Sequence, residues 1–303
     1  MNQIISVTGH TSLDFLLTVD SIVDKNQSAP ILKCDMNFGG GAANVAAVIA
    51  RLGGHAQLIS PVGGDFLTSG YEKQLSDFGV DLSLIYRMKD ETLSKAFILT
   101  DRFSNQTTYF HWGAASKLAE LTPPKVDFVH IATADCYFNA AMSQNASFVS
   151  FDPGQDSVTY KKEPLNTILE NTDILFANRH EIQRVMNISE KTFEELKSMI
   201  PLIIITYDKD GSILYENKDR FKETEIPAAL VDSVDPTGAG DAYKAGFLVA
   251  FTKGYAPNIC CQIGSITASF VVEKTGCQTN LPTWEMMAER YSKYYPDSDL
   301  IIV

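Results

Sequence analysis

The chain has 303 residues, of which 45% are hydrophobic and 20% are charged, so it is long enough to bury a large core. Its formal net charge is −12 and it has no cluster of Lys or Arg, which argues against a nucleic-acid partner, because such a partner requires a basic surface. No stretch approaches the ~18 consecutive apolar residues of a membrane-spanning helix, and no basic segment precedes the short apolar run at the N-terminus. Five scattered cysteines without a C-x-x-C pair are typical of reduced thiols, so we expect a cytoplasmic protein without a membrane partner.

Short β-rich apolar runs alternate with helical stretches along most of the chain. The runs cover residues 4–8, 57–61, 126–133, 147–151, 173–176 and 202–206. Between them lie segments such as 44–54, NVAAVIARLGG, which ends on glycines as a helix C-terminus does. This alternation predicts an α/β fold with three layers, αβα, around a mostly parallel central sheet.

Two regions depart from that pattern. Apolar and polar residues alternate strictly in 32–38, and the run 94–100 followed by 105–112 is typical of a β-hairpin. We expect these segments to form a small antiparallel sheet, a lid built from about 15–38 and 93–112. Because no linker, low-complexity tract or repeat interrupts the chain, the sequence predicts one domain over 1–303.

Asp14 and a glycine run mark the first candidate binding segment. Asp14 follows the first strand, so it is expected at the carboxyl end of the sheet, where α/β proteins bind ligands. A carboxylate there can accept bonds from two adjacent hydroxyl groups, although a solvated turn residue is the alternative. The glycines at 39–41 imitate the start of a dinucleotide-binding G-x-G-x-x-G, but Asn44 stands where that motif requires Gly or Ala.

A second glycine-rich turn lies at 235–241, DPTGAGD, directly before a helical pattern. Backbone N–H groups at a helix N-terminus attract anions, and residues without bulky side chains let a phosphate come close. Asp241 then has two interpretations. It is either a carboxylate that favours the helix dipole or a general base beside a phosphate.

Four stretches together resemble the ribokinase-like, or PfkB, carbohydrate kinase family. DPTGAGD is similar to the family signature D-x-T-G-A-G-D, and FGGGAANVAAVIARLGG at 38–54 is similar to its G-G-x-x-x-N stretch. NRHE at 178–181 resembles its N-x-x-E motif, and LPTWE at 281–285 resembles its usual C-terminal ending. The resemblance covers nearly the whole chain and implies a phosphotransferase with an alcohol acceptor, using ATP, Mg²⁺ and, in many members, a monovalent cation such as K⁺.

The resemblance also implies roles for individual residues at matching positions. Asp241 would be the base that takes the proton of the acceptor hydroxyl. The amides of the anion hole for the γ-phosphate would belong to Gly238, Ala239 and Gly240. Substrate hydroxyls would meet Asp14, Gly40 and Asn44. The ATP side would comprise Asn178, Glu181, Thr206, Gly211, Gly238 and Gly240. Glu181 would act on magnesium through water, and Asp235 with Thr237 would bind the monovalent cation.

One motif departs from the family pattern. TYDKDG at 206–211 keeps the first and last positions of the family's T-x-G-x-x-G but has Asp208 where the middle glycine is usual. Because of this substitution, the sequence does not determine the geometry around the sugar of the nucleotide. It does not touch the expected chemical centre.

The substrate-facing segments contain few basic residues but many aromatic ones, among them Phe38 and Phe110. A sugar phosphate would need Arg or Lys, whereas aromatic faces can stack a nucleobase, although such clusters also serve simply as packing. SFDPGQ and NQTTYFHWGAA resemble the archaeal broad-specificity nucleoside kinase branch of the family, and this suggests Gln106 and Phe110 as further substrate contacts. We therefore expect phosphorylation of the 5′-hydroxyl of a ribonucleoside. The alternatives are a ribokinase- or fructokinase-type sugar kinase and a ligand sensor without turnover; a homodimer through the lid is a further expectation.

Overall fold

The computed structural model describes residues 3–103, 105–217 and 221–296, and every structural statement below concerns these ranges. The strands are β1 Ile4–Thr8, β2 Ser12–Val19, β3 Ile31–Gly39, β4 His55–Ile59, β5 Pro61–Gly63, β6 Tyr86–Met88, β7 Ser94–Thr100, β8 Gln106–His111, β9 Val126–Ile131, β10 Ala146–Phe151, β11 Ile174–Asn178, β12 Leu202–Thr206, β13 Ser212–Asn217 and β14 Phe221–Ile226. The α-helices are α1 Gly41–Arg51, α2 Asp65–Thr68, α3 Tyr71–Phe78, α4 Cys136–Gln144, α5 Lys162–Glu170, α6 Arg179–Ser189, α7 Phe193–Met199, α8 Ala239–Thr252, α9 Pro257–Val271 and α10 Trp284–Tyr294.

The central sheet has eight strands in the order β14-β13-β12-β11-β10-β9-β1-β4. The six strands from β12 to β4 pair in parallel, which confirms the predicted α/β architecture. β13 and β14 continue the sheet in antiparallel pairing, an extension that the sequence pattern did not reveal.

Alternating side chains of the sheet enter two separate cores. Phe176 and Ile204 pack in the core that α1, α8, α9 and α10 cover. Their neighbours Leu175 and Ile203 pack in the opposite core, under α4, α5, α6 and α7. Because strand side chains alternate between faces, this arrangement buries both faces of the sheet and produces the three predicted layers.

A second sheet, of four strands in the order β3-β2-β7-β8, forms the lid. The pairs β2/β3 and β7/β8 are antiparallel, as expected for the hairpin pattern, whereas β2 and β7 join them in parallel. The first strand of the lid, β2, begins at Ser12, slightly before the predicted start of the lid at about residue 15. The short parallel pair β5/β6 forms a separate small sheet.

The carboxyl ends of the parallel strands define the functional edge of the molecule. β1, β10, β11 and β12 all end there, and each is followed directly by a polar residue or a turn. In the described part of the chain, no helix combines the length and the apolar character needed to span a bilayer.

Candidate active site

Helix α8 begins at this edge of the sheet on a turn that only glycine accommodates well. Its N-cap, Gly238, has φ 83°, in the left-handed region, and a Cβ there would lie 2.9 Å from the Cβ of Cys277. The Ala239 N–H already donates to the Pro236 carbonyl at 3.2 Å, so one of the three amides assigned to the anion hole is used within the turn. The remaining N–H groups of the first helical turn lack partners within the helix and suit an anion.

Asp241 lies in this first turn, and its carboxylate is held from two sides. Asn44 Nδ2 donates to Asp241 Oδ2 at 2.9 Å, and Lys244 Nζ lies 3.1 Å from Asp241 Oδ1. The side chain of Asp241 is 20% exposed, so the carboxylate is oriented but still accessible. This arrangement suits a base that must receive a proton from a bound hydroxyl group.

Asn44 is itself fixed by a chain of buried hydrogen bonds. Gln278 Nε2 donates to Asn44 Oδ1 at 2.9 Å and lies 2.6 Å from the hydroxyl of Tyr71. The Tyr71 hydroxyl in turn donates to the carbonyl of Gly39 at 2.8 Å. The amide orientation of Asn44 therefore follows from contacts with α3 and with the segment after α9.

Gly40 connects the lid to α1 at a point where no side chain fits. Its φ is 96°, and a Cβ would lie 2.5 Å from the backbone oxygen of His10. The Gly40 carbonyl accepts from the N–H of Asn44 at 2.8 Å. This close approach places Asn44 and the beginning of the lid side by side.

Asp14 lies on β2 and interacts electrostatically with Asp241. Burial raises the pKa of Asp14 to about 6, a hydrogen bond from Ser12 opposes that shift, and the charge of Asp241 adds to it. Ser12 Oγ donates to Asp14 Oδ1 at 2.7 Å, which leaves Oδ2 as the second acceptor of the carboxylate. Asp14 is thus ready to accept ligand hydroxyl groups close to the proposed base.

Phe110 lies in the same transverse row of the lid as Asp14. Asp14 pairs with Ala96, and Ala96 pairs with Phe110, so all three side chains point to one face. Two strand spacings separate Asp14 from Phe110, a distance of about 10 Å. That span matches a ligand with hydroxyl groups at one end and a flat ring at the other.

A ring cluster surrounds the Phe110 end of this row. The Phe110 ring lies 4.8 Å from Trp112 and 5.6 Å from His10, measured between centroids. His10 Nε2 is 2.6 Å from Asp156 Oδ2, which ties the lid aromatics to the loop after β10. The exposed faces of Phe110 and Trp112 are available for stacking.

Phe38 does not belong to this cluster. Its ring is stacked on Tyr71 with centroids 4.3 Å apart, so one of its faces is already covered. Gln106 is also remote from Asp14. It lies four residues from Phe110 along β8, about 13 Å away, with its amide 3.4 Å from the Thr100 hydroxyl.

On the other side of α8, a cleft of about 610 Å³ opens beside the glycine turn. Its lining includes Asn178, Thr206, Gly211, Ala239, Gly240 and Tyr243. Of the residues expected to bind ATP, Asn178, Thr206, Gly211 and Gly240 line this cleft, whereas Glu181 and Gly238 are not in its lining. Asp208, also in the lining, has φ 53°, a left-handed conformation that explains why the family usually has glycine there.

Asn178 and Glu181 form a reciprocal cap at the beginning of α6. Asn178 Oδ1 accepts from the Glu181 N–H at 2.9 Å, and Glu181 Oε2 accepts from the Asn178 N–H at 2.8 Å. Burial and the nearby Asp152 raise the pKa of Glu181 to about 7.

Asp235 holds two loops together beneath the glycine turn. Its Oδ1 accepts from the Thr237 N–H at 2.9 Å, and its Oδ2 accepts from the Gly276 N–H at 3.0 Å. The structure therefore gives Asp235 a structural role in shaping the turn. Its predicted part in binding a monovalent cation, together with Thr237, stays a prediction.

Sequence reasoning missed several residues of this centre. Five of them are Lys244, Asp152, Gln278, His10 and Asp156. Lys244 contacts Asp241, Gln278 contacts Asn44, and the His10 ring lies beside Phe110. Asp152 and Asp156 in turn pair with Lys244 and His10. Lys244 carried a local signal, since it is a lysine in the otherwise apolar stretch DAYKAGFLVAF. The others are brought in only by the fold.

Comparison with known proteins shows one consistent relationship. The pfkB family of carbohydrate kinases matches residues 2–284. A nucleoside kinase of Methanocaldococcus jannaschii is 44% identical over 96% of this chain and 97% of its own, and one of Methanothermobacter thermautotrophicus is 38% identical over 94% of each.

Solved structures give the same relationship at the level of the fold. The crystal structure of the M. jannaschii nucleoside kinase, an archaeal member of the ribokinase family, has a TM-score of 0.91 and 43% identity, covering 97% of this chain and 100% of that one. A Burkholderia thailandensis nucleoside kinase in complex with inosine has a TM-score of 0.87 at 22% identity, covering 96% and 97%, and supports the fold alone.

Proposed function

This chain belongs to the pfkB family of carbohydrate kinases, and on that premise we propose that it is an ATP-dependent nucleoside kinase that phosphorylates the 5′-hydroxyl of a ribonucleoside. One observation carries the proposal. Asp14, Asn44 and Asp241 converge on one side of the glycine turn, and a cleft that suits a nucleotide opens on the other. The 44% identity to a nucleoside kinase favours a nucleoside over a simple sugar as the acceptor.

The geometry suggests how the acceptor is held. The ribose hydroxyls would bind Asp14 and Asn44, while the base would extend along the row of Asp14 towards Phe110 and Trp112. The span of about 10 Å between Asp14 and Phe110 fits a nucleoside better than a free pentose, which would leave the ring cluster empty. Gln106 lies too far along β8 to contact the same ligand.

Asp241 would act as the general base. Its carboxylate, held by Asn44 and Lys244, would take the proton of the 5′-hydroxyl as that oxygen bonds to the γ-phosphorus. The bond between the γ-phosphorus and the bridging oxygen would break, and ADP would leave. N–H groups in the first turn of α8 would stabilise the charge on the transferred group.

The residues present fit a magnesium ion bound mainly through ATP. In the described residues, no group of three or more His, Cys, Asp or Glu side chains could hold a metal ion. Mg²⁺ commonly uses one or two carboxylates together with phosphates and water, and the Glu181 carboxyl is available beside the nucleotide cleft. When bound, Mg²⁺ neutralises charge on the phosphates. A K⁺ ion near Asp235 and Thr237 is part of the same proposal.

We also propose a homodimer formed through the lid. Several large apolar side chains of the lid are exposed, among them Ile31, Leu32, Met36 and Tyr109. The strands β3 and β8 are the edges of the lid sheet, and a second copy could cover both the edge and the apolar side chains. Tyr109→Glu should shift the mass measured by light scattering from dimer to monomer, and a wild-type monomer would contradict the proposal.

We propose the cytoplasm as the location of the protein, because its five free cysteines suit a reducing compartment.

Coupled measurement of ADP release tests the function. We expect ATP turnover with ribonucleosides such as inosine, adenosine and cytidine, and much weaker turnover with ribose or fructose. Turnover with the free sugars alone would favour the sugar kinase alternative. No ADP release with any acceptor would favour a ligand sensor.

A further inference from the structure

Lys244 is a buried lysine one turn after Asp241 on α8. Its side chain is only 12% exposed, in a helix whose other residues from Ala242 to Ala250 are almost all apolar. Removing an ammonium group from water is costly unless opposite charges surround it. A lysine at this position therefore indicates a specific use for its charge.

Two carboxylates compensate that charge. Lys244 Nζ forms a close ion pair with Asp152, whose side chain is 8% exposed, and lies 3.1 Å from Asp241 Oδ1. Although burial opposes the charged form, Asp152 and Asp241 hold the pKa of the Lys244 ammonium above its usual range. The lysine therefore stays charged and links the loop after β10 to the proposed base.

The ammonium also lies directly beneath the glycine turn. A methyl group built on Gly240 would lie 3.9 Å from Lys244 Nζ, and it would meet no other atom within 4 Å outside the helix backbone and adjacent residues. Gly240 is thus open towards a ligand, and the positive charge of the Lys244 ammonium lies next to it. Because this charge belongs to the protein, it is present without a bound cation.

We propose that Lys244 is the positioning residue of the phosphoryl-transfer centre: its ammonium fixes the orientation of the Asp241 carboxylate. The proposal rests on the proposed kinase function. Asn44 binds Oδ2 and Lys244 binds Oδ1, so the plane of the carboxylate is set by one neutral and one charged partner. Asn44 can orient Asp241 but cannot supply the charge.

Removal of Lys244 should therefore release the Oδ1 side of the Asp241 carboxylate. Asn44 would still hold Oδ2 at 2.9 Å, so the side chain would stay in the site but could rotate more freely. A base whose oxygens are not held in line with the acceptor hydroxyl loses rate rather than substrate affinity.

The test compares Lys244→Met with Lys244→Arg, and uses Lys253→Met as a matched control. Lys253 caps the end of the same helix, where its ammonium lies 4.5 Å from the ring of Trp284. We expect Lys244→Met to lose about tenfold or more in kcat and to change the nucleoside KM little, because the base is misoriented while the substrate contacts remain. Lys244→Arg should recover part of kcat, and Lys253→Met should behave as wild type.

A second readout does not depend on turnover. Crystal structures without substrate should show the Asp241 carboxylate in one orientation in the wild type, and rotated or in two positions in Lys244→Met. This result would stand even if the wild type released no ADP, which would contradict the proposed function alone. An Asp241 carboxylate that keeps its wild-type orientation in Lys244→Met would overturn the role assigned to Lys244.

If Lys244→Met does not fold, a double variant takes its place in the test. Asp152→Asn combined with Lys244→Met removes both buried charges, so no uncompensated charge is left behind. This double variant should fold and show the same loss of kcat and the same displaced Asp241 carboxylate. A variant that lowers only the melting temperature, with kcat and the Asp241 orientation unchanged, would show that Lys244 serves stability alone.

Discussion

The N-terminus of α8 and the lid sheet hold their functional side chains in different ways. Around α8, Asp241, Lys244 and Asp152 are 20%, 12% and 8% exposed, and each is fixed by an ion pair or a hydrogen bond. In the lid, Phe110 and Trp112 are 37% and 39% exposed and make ring contacts with each other and with His10. Rigid, paired charges suit the chemical step, whereas exposed rings suit recognition of a ligand that covers them.

This difference leads us to expect that changes near α8 alter kcat and that changes in the lid alter KM. The largest effect should come from Asp241→Asn, which keeps the size and the bond from Asn44 but removes the base. We expect kcat to fall at least ~10²-fold while the melting temperature stays close to wild type. If Asp241 only favours the helix dipole, stability would fall by ~0.3–1 kcal/mol and kcat would barely change. A variant with more than about a tenth of wild-type turnover would falsify the assignment.

Asp14→Asn tests a residue that connects the two regions. Asp14 lies on a lid strand yet interacts electrostatically with Asp241. A hydrogen bond to a charged group contributes about 1.5–3 kcal/mol, or roughly 10- to 100-fold in binding. We expect the KM for a ribonucleoside to rise by that factor and to approach the KM for its 2′-deoxy analogue. An unchanged ratio between the two substrates would remove Asp14 from the ribose site.

Two phenylalanines of the lid provide a matched pair for the recognition region. Phe110→Ala should weaken nucleoside binding by about 1–3 kcal/mol, because base stacking on an aromatic ring contributes that much, and kcat should change little. Phe38→Ala should instead lower the melting temperature, since Phe38 is stacked on Tyr71. Equal losses of nucleoside affinity in the two variants would contradict the assignment of the base to the Phe110 end.

The pH dependence of kcat/KM should show the smallest effect. Because the pKa of Asp14 is raised to about 6, its carboxylate is charged above that pH and protonated below it. We expect kcat/KM for a ribonucleoside to fall about fivefold from pH 6 to pH 5, as free-enzyme titration predicts. In Asp14→Asn this inflection should be absent. An identical profile in both proteins would assign the titration to another group.

The sequence alone was informative where the site is local. The glycine turn, Asp241 and the N-cap pair of Asn178 and Glu181 each lie within a few residues, so chain order already determines their spacing. Alternation in the hairpins likewise predicted the lid, because a period of two follows directly from strand geometry.

The rest of the site depends on contacts that chain order does not reveal. Asn44 and Asp241 are 197 residues apart, and Gln278 and Asn44 are 234 residues apart. The pairing of Lys244 with Asp152 requires α8 to cross the carboxyl end of β10. Phe38 and Gln106 show how the strand register limits such predictions. Phe38 pairs with Leu13 and is stacked on Tyr71, and Gln106 lies four residues from Phe110 along β8. The role of Gln106 as a substrate contact stays a prediction.

The most direct test of the central claim is the position of a bound ribonucleoside, measured in a crystal structure with inosine and a non-hydrolysable ATP analogue. The account predicts the 5′-oxygen about 2.6–3.2 Å from the Asp241 carboxylate, the 2′- and 3′-hydroxyls on Asp14, and the base against Phe110 and Trp112. A nucleoside bound with its 5′-oxygen out of reach of Asp241, or with its base away from the Phe110 end of the lid, would contradict it.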